Sequence, residues 1–151
     1  MNRSARLDAI RNSLDDEQKS LAQSVADSGG RLAGAMQKLA ELQRYRDEYL
    51  GAYTQQVASG MISARLRDFQ AFMARLTQAV KSQQEQLARS RAEYEFELQR
   101  WQALTLKMSA IGSVVNRWRG EEQVVDARSE QRDFDAFAGR AALLRNSGKS
   151  N

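Results

Sequence analysis

The chain contains no proline, no cysteine and no histidine. Average usage of about 5% would place roughly seven prolines in a chain of 151 residues. Proline removes a backbone donor and clashes with the preceding helical turn, so its absence leaves long uninterrupted helices open to this chain. The lack of cysteine excludes a disulfide framework and a thiolate nucleophile, and the lack of histidine removes the commonest zinc ligand and general base. Apolar runs are also short, and none approaches the roughly 18 residues of a membrane span. Met1-Asn2-Arg3-Ser4 leads into mixed polar sequence with no apolar core of a secretory signal, which predicts a soluble, cytoplasmic protein.

Charge of one sign is scarce as well. The net charge is +4, and its excess lies in residues 61–151, since residues 1–60 carry eight Lys or Arg against eight Asp or Glu. A sequence pI near 9.7 invites a nucleic-acid partner, because clustered cations release counterions from phosphates. Here Arg alternates with Glu and Asp as on a solvated helix face, so no nucleic acid is expected.

What is present is periodic. Leu66, Met73, Val80, Leu87, Tyr94, Trp101, Met108 and Val115 recur at seven-residue steps, all apolar or aromatic. The companions three residues on are Phe69, Leu76, Gln83, Ser90, Glu97, Leu104, Ile111 and Trp118, apolar at each end and polar in the middle. A seven-residue repeat sustained this long keeps one seam facing a partner helix and predicts a coiled coil. The earlier half carries a matching seam of Leu7, Ile10, Leu14 and Leu21, then a four-residue shift to Val25, Leu32, Leu39, Leu42, Tyr49 and Tyr53. Such a shift reads as a stutter that locally unwinds the supercoil. Beside it lies Ser28-Gly29-Gly30-Arg31-Leu32-Ala33-Gly34, whose three glycines each cost about 1 kcal/mol against Ala in a helix. That stretch is either a kinked turn held by the partner helix or a functional hinge.

Between the two seams the repeat breaks at Ser59-Gly60. Folding the chain back there sets Tyr49 beside Phe72, Tyr45 beside Leu76, Leu21 beside Trp101 and Leu7 near Val115, so apolar meets apolar. Gly60 supplies the permissive backbone of a reversal, and Ser63 is the candidate cap of the second helix. The expectation is all-α: an antiparallel two-helix coiled-coil hairpin with an overhanging C-terminal helical end. It forms one domain over residues 1–151, with helix 1 at about 3–58, a turn at about 59–62 and helix 2 at about 63–145. Each arm of about 55 residues would extend roughly 80–85 Å. Beyond Trp118 the second helix has no partner left in the chain, and Phe134, Phe137, Ala141 and Leu144 form one helical stripe.

A two-helix seam offers no enclosed pocket where reacting groups converge, so no catalytic, cofactor-binding or metal site and no enzymatic activity is expected. The carboxylates Asp15-Asp16-Glu17, Glu93-Glu95-Glu97 and Glu121-Glu122 sit at spacings that put neighbours on different helix sides. The stretch around Gly112 and Gly120 lacks the Gly-Lys-Ser/Thr ending of a phosphate-cradling loop. Binding features are clearer. Leu42–Tyr53 and Leu66–Leu76 hold more aromatic and apolar side chains near the turn than one seam buries, as a docking surface or a widened core would. At the open end Arg117, Arg119, Arg128, Arg132 and Arg140 accompany Trp118, Phe134 and Phe137. That mixture suits single-stranded nucleic acid or an acidic or apolar protein collar. The interleaved Glu121, Glu122, Asp126, Glu130, Asp133 and Asp135 would repel phosphates.

Three pieces together carry a family resemblance: LxxYxxEYxxxY at Leu42–Tyr53, LxxFxxFxxxLxxAVxxQ at Leu66–Gln83, and ARSEQRDFDAFAGRAAL at Ala127–Leu143, with a glycine at the tip. In this order the chain resembles FliJ, the coiled-coil component of the flagellar type III export apparatus. The resemblance implies a non-enzymatic, cytoplasmic stalk at the inner-membrane side of the flagellar base. Its open end would insert into the hexameric export ATPase and promote its assembly and activity. The stalk would also bind the transmembrane export gate FlhA and export chaperones. By position it assigns Leu42, Tyr45, Tyr49, Phe72, Leu76, Ala79 and Gln83 to the gate-docking patch. It assigns Arg117, Arg119, Arg128, Asp135, Phe137 and Arg140 to the ATPase-facing end. Lys38 and Gln83 depart from the Gln and His associated with those places, which questions the polar edge of the patch and not its aromatic centre. The rival readings are a generic coiled-coil adaptor or chaperone, and the equivalent stalk of a non-flagellar type III secretion system.

Overall fold

A computed structural model describes residues 2–60 and 62–149. Two helices account for nearly all of them: α1, Arg3–Ala58, and α2, Ser63–Gly148. They pack against each other as an all-α hairpin. With no proline to interrupt them, both helices also run through their interior glycines without a break.

The reversal follows local chemistry. Ser59 ends α1 by donating its hydroxyl to the Gln55 carbonyl at 2.8 Å, satisfying one of the last carbonyls of the helix. Gly60 follows with φ +87°, a left-handed conformation that side chains with a Cβ resist, and its amide donates to the Val57 carbonyl at 3.2 Å. The α2 ladder opens with Leu66 N–H donating to the Ile62 carbonyl at 3.1 Å. Ile62 therefore holds the position before the helix, and Ser63, expected as the cap, is already its first helical residue.

The chain forms two compact units, residues 1–16 with 105–151, and residues 17–104. In the second unit, the α2 positions from Leu66 to Leu104 on both seven-residue series are all buried or half-buried. Facing them on α1, burial steps through Leu21, Val25, Ser28, Leu32, Ala35, Leu39 and Leu42 in alternating fours and threes. No four-residue shift exists there. Ser28 and Ala35 fill seam places that an apolar pattern skips, because a small residue packs at a seam without scoring as a large hydrophobe.

In the first unit, Val115 is wholly buried, with Leu7, Leu14, Met108, Ile111 and Trp118 half-buried around the same seam. Ile10, expected in the seam, is 52% exposed. The Arg11 guanidinium carbon instead lies 3.5 Å from where a Cβ on Gly112 would stand. The seam of α1 steps four residues on from Leu14 to half-buried Gln18 and from Leu21 to Val25, so Ile10, three residues after Leu7, falls outside it.

Candidate functional site

Two surfaces collect the binding candidates, one in each unit. Near the turn, five rings form a continuous cluster. Tyr49 meets Phe72 at 4.5 Å between centroids, Tyr53 stacks on Phe69 at 4.3 Å with 11° between planes, and Tyr45 meets Tyr49 at 4.9 Å and Phe72 edge-on at 6.2 Å. These are the offset and edge geometries that ring quadrupoles favour. The cluster arises because Tyr45, Tyr49 and Tyr53 follow at i, i+4 along one face of α1, opposite Phe69 and Phe72 at i, i+3 on α2.

The seven positions assigned to the gate patch do not share one exposure. Tyr45 is 45% exposed, and Leu42, Tyr49, Phe72 and Ala79 are half-buried. Leu76 is 7% exposed and belongs to the core, as does Gln83, whose Nε2 donates to the Ala35 carbonyl at 3.1 Å. The Tyr45 phenol is pushed above its ordinary value by its hydrogen bond to Tyr49, then by the charge Tyr49 would carry and by partial burial, with Glu48 adding to it. Leu50 at 51%, Val57 at 48% and Ile62 at 66% exposure extend apolar surface around the same end. Sequence reasoning missed them, although Leu50 and Val57 already show a seven-residue step off the seam.

At the start of α1, Asn2 acts as the cap: its Oδ1 accepts from the Ala5 amide at 3.1 Å and from the Ser4 hydroxyl at 3.2 Å. Ser4 is 3% exposed and donates both its hydroxyl and, at 3.2 Å, its amide to the Glu122 carboxylate. Arg3 pairs with Glu121 and lies 4.5 Å over the Trp118 ring, a cation–π contact. Asp8 accepts from Arg119 at 2.8 Å. A groove of about 440 Å³ beside these pairs is lined by Asn2, Ser4, Asp8, Arg119, Glu122 and Asp126. No periodic signal marks this clasp in the sequence, because short polar side chains at a helix start carry no apolar stripe.

Past Glu122, α2 faces no helix among the described residues, and every residue from Gln123 to Lys149 is exposed except half-buried Ala141. Phe134 and Phe137 are each 66% exposed, and Leu143 and Leu144 are 70% and 73% exposed. Of the residues assigned to the ATPase-facing end, Arg128, Asp135, Phe137 and Arg140 lie on this stretch. Asp135 accepts from Gln131 at 3.0 Å. Arg117 is exposed, whereas Arg119 is engaged by Asp8.

Among the described residues no group of three or more Asp or Glu could hold a metal ion, and no helix is long and apolar enough to cross a membrane. A family model for the flagellar FliJ protein matches residues 3–147. The flagellar FliJ protein of Salmonella typhi is 26% identical over 133 residues, covering 83% of this chain and 90% of that protein. The flagellar FliJ protein of Escherichia coli strain K12 is 25% identical over the same shares. No solved structure matches the chain. A match along almost the whole of both helices, and not at a single motif, makes this chain a member of the FliJ family, components of flagellar type III export.

Proposed function

We propose that this chain is the non-enzymatic stalk of the flagellar export apparatus, coupling the hexameric export ATPase to the transmembrane export gate FlhA at the cytoplasmic side of the flagellar base. The whole of residues 1–151 serves as one coupling element. Its overhang beyond Glu122 inserts into the ATPase ring, favouring ring assembly and hydrolysis. The aromatic end near Gly60 docks on the gate, and export chaperones bind the same element.

The observation that supports this most is the overhang. A helix that exposes Phe134, Phe137 and Leu144 to water, with no facing helix among the described residues, leaves an apolar stripe uncovered. The arginines Arg128, Arg132 and Arg140 interleaved with it suit an acidic collar, and Glu130, Asp133 and Asp135 oppose a phosphate backbone. Tyr45, at the outer edge of the ring cluster, offers a second exposed aromatic contact.

The test is the ATP hydrolysis rate of the cognate export ATPase with the full chain and with a chain ending after Asp126. Ending there keeps the pairs of Arg3, Ser4 and Asp8 with Glu121, Glu122 and Arg119, so the hairpin end stays closed. Stimulation by the full chain that disappears with the shortened one supports insertion of the overhang. No stimulation by the folded full chain overturns the stalk reading and leaves an adaptor.

A further inference from the structure

Within residues 17–104 the seam changes chemistry along its length. Towards the turn its most buried side chains are Leu76 and Val80, and at its other end Leu21 and Leu104. Between them the buried positions are Ser28, Ala35, Gln83 and Ser90. A buried leucine takes apolar area out of water that serine, alanine or glutamine cannot match, so at its most buried positions this section gains less from helix pairing than its flanks. Half-buried Val25, Leu32, Leu87 and Tyr94 supply its apolar contact.

Its polar groups return little of that loss across the seam. The Ser28 hydroxyl donates to the Ser24 carbonyl at 2.8 Å and the Val25 carbonyl at 3.2 Å, both in its own helix. Such back-bonding slightly weakens and bends a helix. Glu97 Oε2 is buried, accepts no hydrogen bond and has the Arg100 guanidinium 3.5 Å away along its own helix. Arg31 and Glu93 do pair across the seam, with side chains 55% and 50% exposed, where water screens the attraction. The Gln83 contact to the Ala35 carbonyl is the buried cross-helix hydrogen bond here.

Backbone chemistry weakens the same place. A Cβ on Gly29 would stand 3.4 Å from the Tyr94 ring, in ordinary contact with it. Nothing lies within 4 Å of a Cβ placed on Gly30 or Gly34, so packing does not require glycine at either. Each of them lowers helix propensity with no compensating contact.

We propose that residues 24–35 of α1 and 83–97 of α2 form a built-in opening segment, which separates and recloses as a unit while the ring cluster on one side and the Leu21–Leu104 seam on the other stay packed. The segment lets the two helices flex at a fixed place without unpacking the aromatic end that carries the candidate docking surface. It holds whichever partner the aromatic end takes.

Simple fraying predicts the opposite profile, with helix ends and the turn least protected and the middle most. Amide hydrogen exchange on the full chain separates the two. The expected result is exchange about tenfold faster in 26–34 and 85–96 than in 39–48 and 70–80. A chain carrying Gly30→Ala, Gly34→Ala, Gln83→Leu and Ser90→Ala should slow this segment to the rate of its flanks and leave the flanks unchanged. Protection that is uniform or greatest in the segment of the native chain overturns the proposal. So does a variant that melts higher yet leaves the segment exchanging as before.

Discussion

Both ends of α2 carry a phenylalanine pair at i, i+3, Phe69 with Phe72 and Phe134 with Phe137. The first pair is half-buried against Tyr49 and Tyr53, while the second is 66% exposed at each ring. Nothing in the local spacing separates them. The difference is whether α1 runs opposite: at the first pair it supplies three tyrosines in register, and at the second it has already begun at Arg3 opposite Glu121. The same aromatic pattern is therefore fold in one place and free surface in the other.

That contrast can be broken most sharply at Leu76. Leu76→Ala removes a side chain only 7% exposed beside the ring cluster and should cost about 2–5 kcal/mol, read as a fall in thermal midpoint by circular dichroism. Loss of gate binding in this variant would thus report the fold before it reported contact. Replacing Tyr49 with Leu keeps apolar bulk but removes its ring contacts to Phe72 and Tyr45. A cost of about 0.5–1.5 kcal/mol is expected in chemical denaturation.

Smaller effects belong to the other end. Asp8→Asn breaks the pair with Arg119, whose side chain is 49% exposed, so after screening the loss should stay below about 1 kcal/mol and shrink further in high salt. Smallest of all in stability is the double change Phe134→Ala and Phe137→Ala, expected within about 0.5 kcal/mol of the native chain. Stimulation of the export ATPase should nevertheless fall in that variant. If it melts far below the native chain, the overhang is packed in solution and the contrast between the two phenylalanine pairs fails.

The hairpin itself was legible because its cause is one-dimensional. Eight positions at seven-residue steps from Leu66 to Val115, the absence of proline and the break at Ser59-Gly60 specify two helices and a reversal. The pairing of Tyr49 with Phe72 followed from counting back from that break, and the rings meet as counted. Large apolar side chains and backbone breakers act through their own chemistry, so sequence displays them directly.

Positions whose role depends on the facing helix were not legible. Ser28 and Ala35 are buried in the seam although neither is a large apolar residue, and the apparent shift after Leu21 came from overlooking them. Gln83 reads as a polar surface residue until the Ala35 carbonyl is found 3.1 Å away in a buried seam. Ile10 faces water because the seam steps on by four residues after Leu14 and Leu21, whereas Ile10 stands three after Leu7. Sequence alone determined that this chain is two long helices joined near Gly60, since periodicity and proline content are properties of one strand of chain. Only the tertiary structure decided which aromatics are core, which polar groups are buried and where α2 is left bare, because burial is a property of pairs.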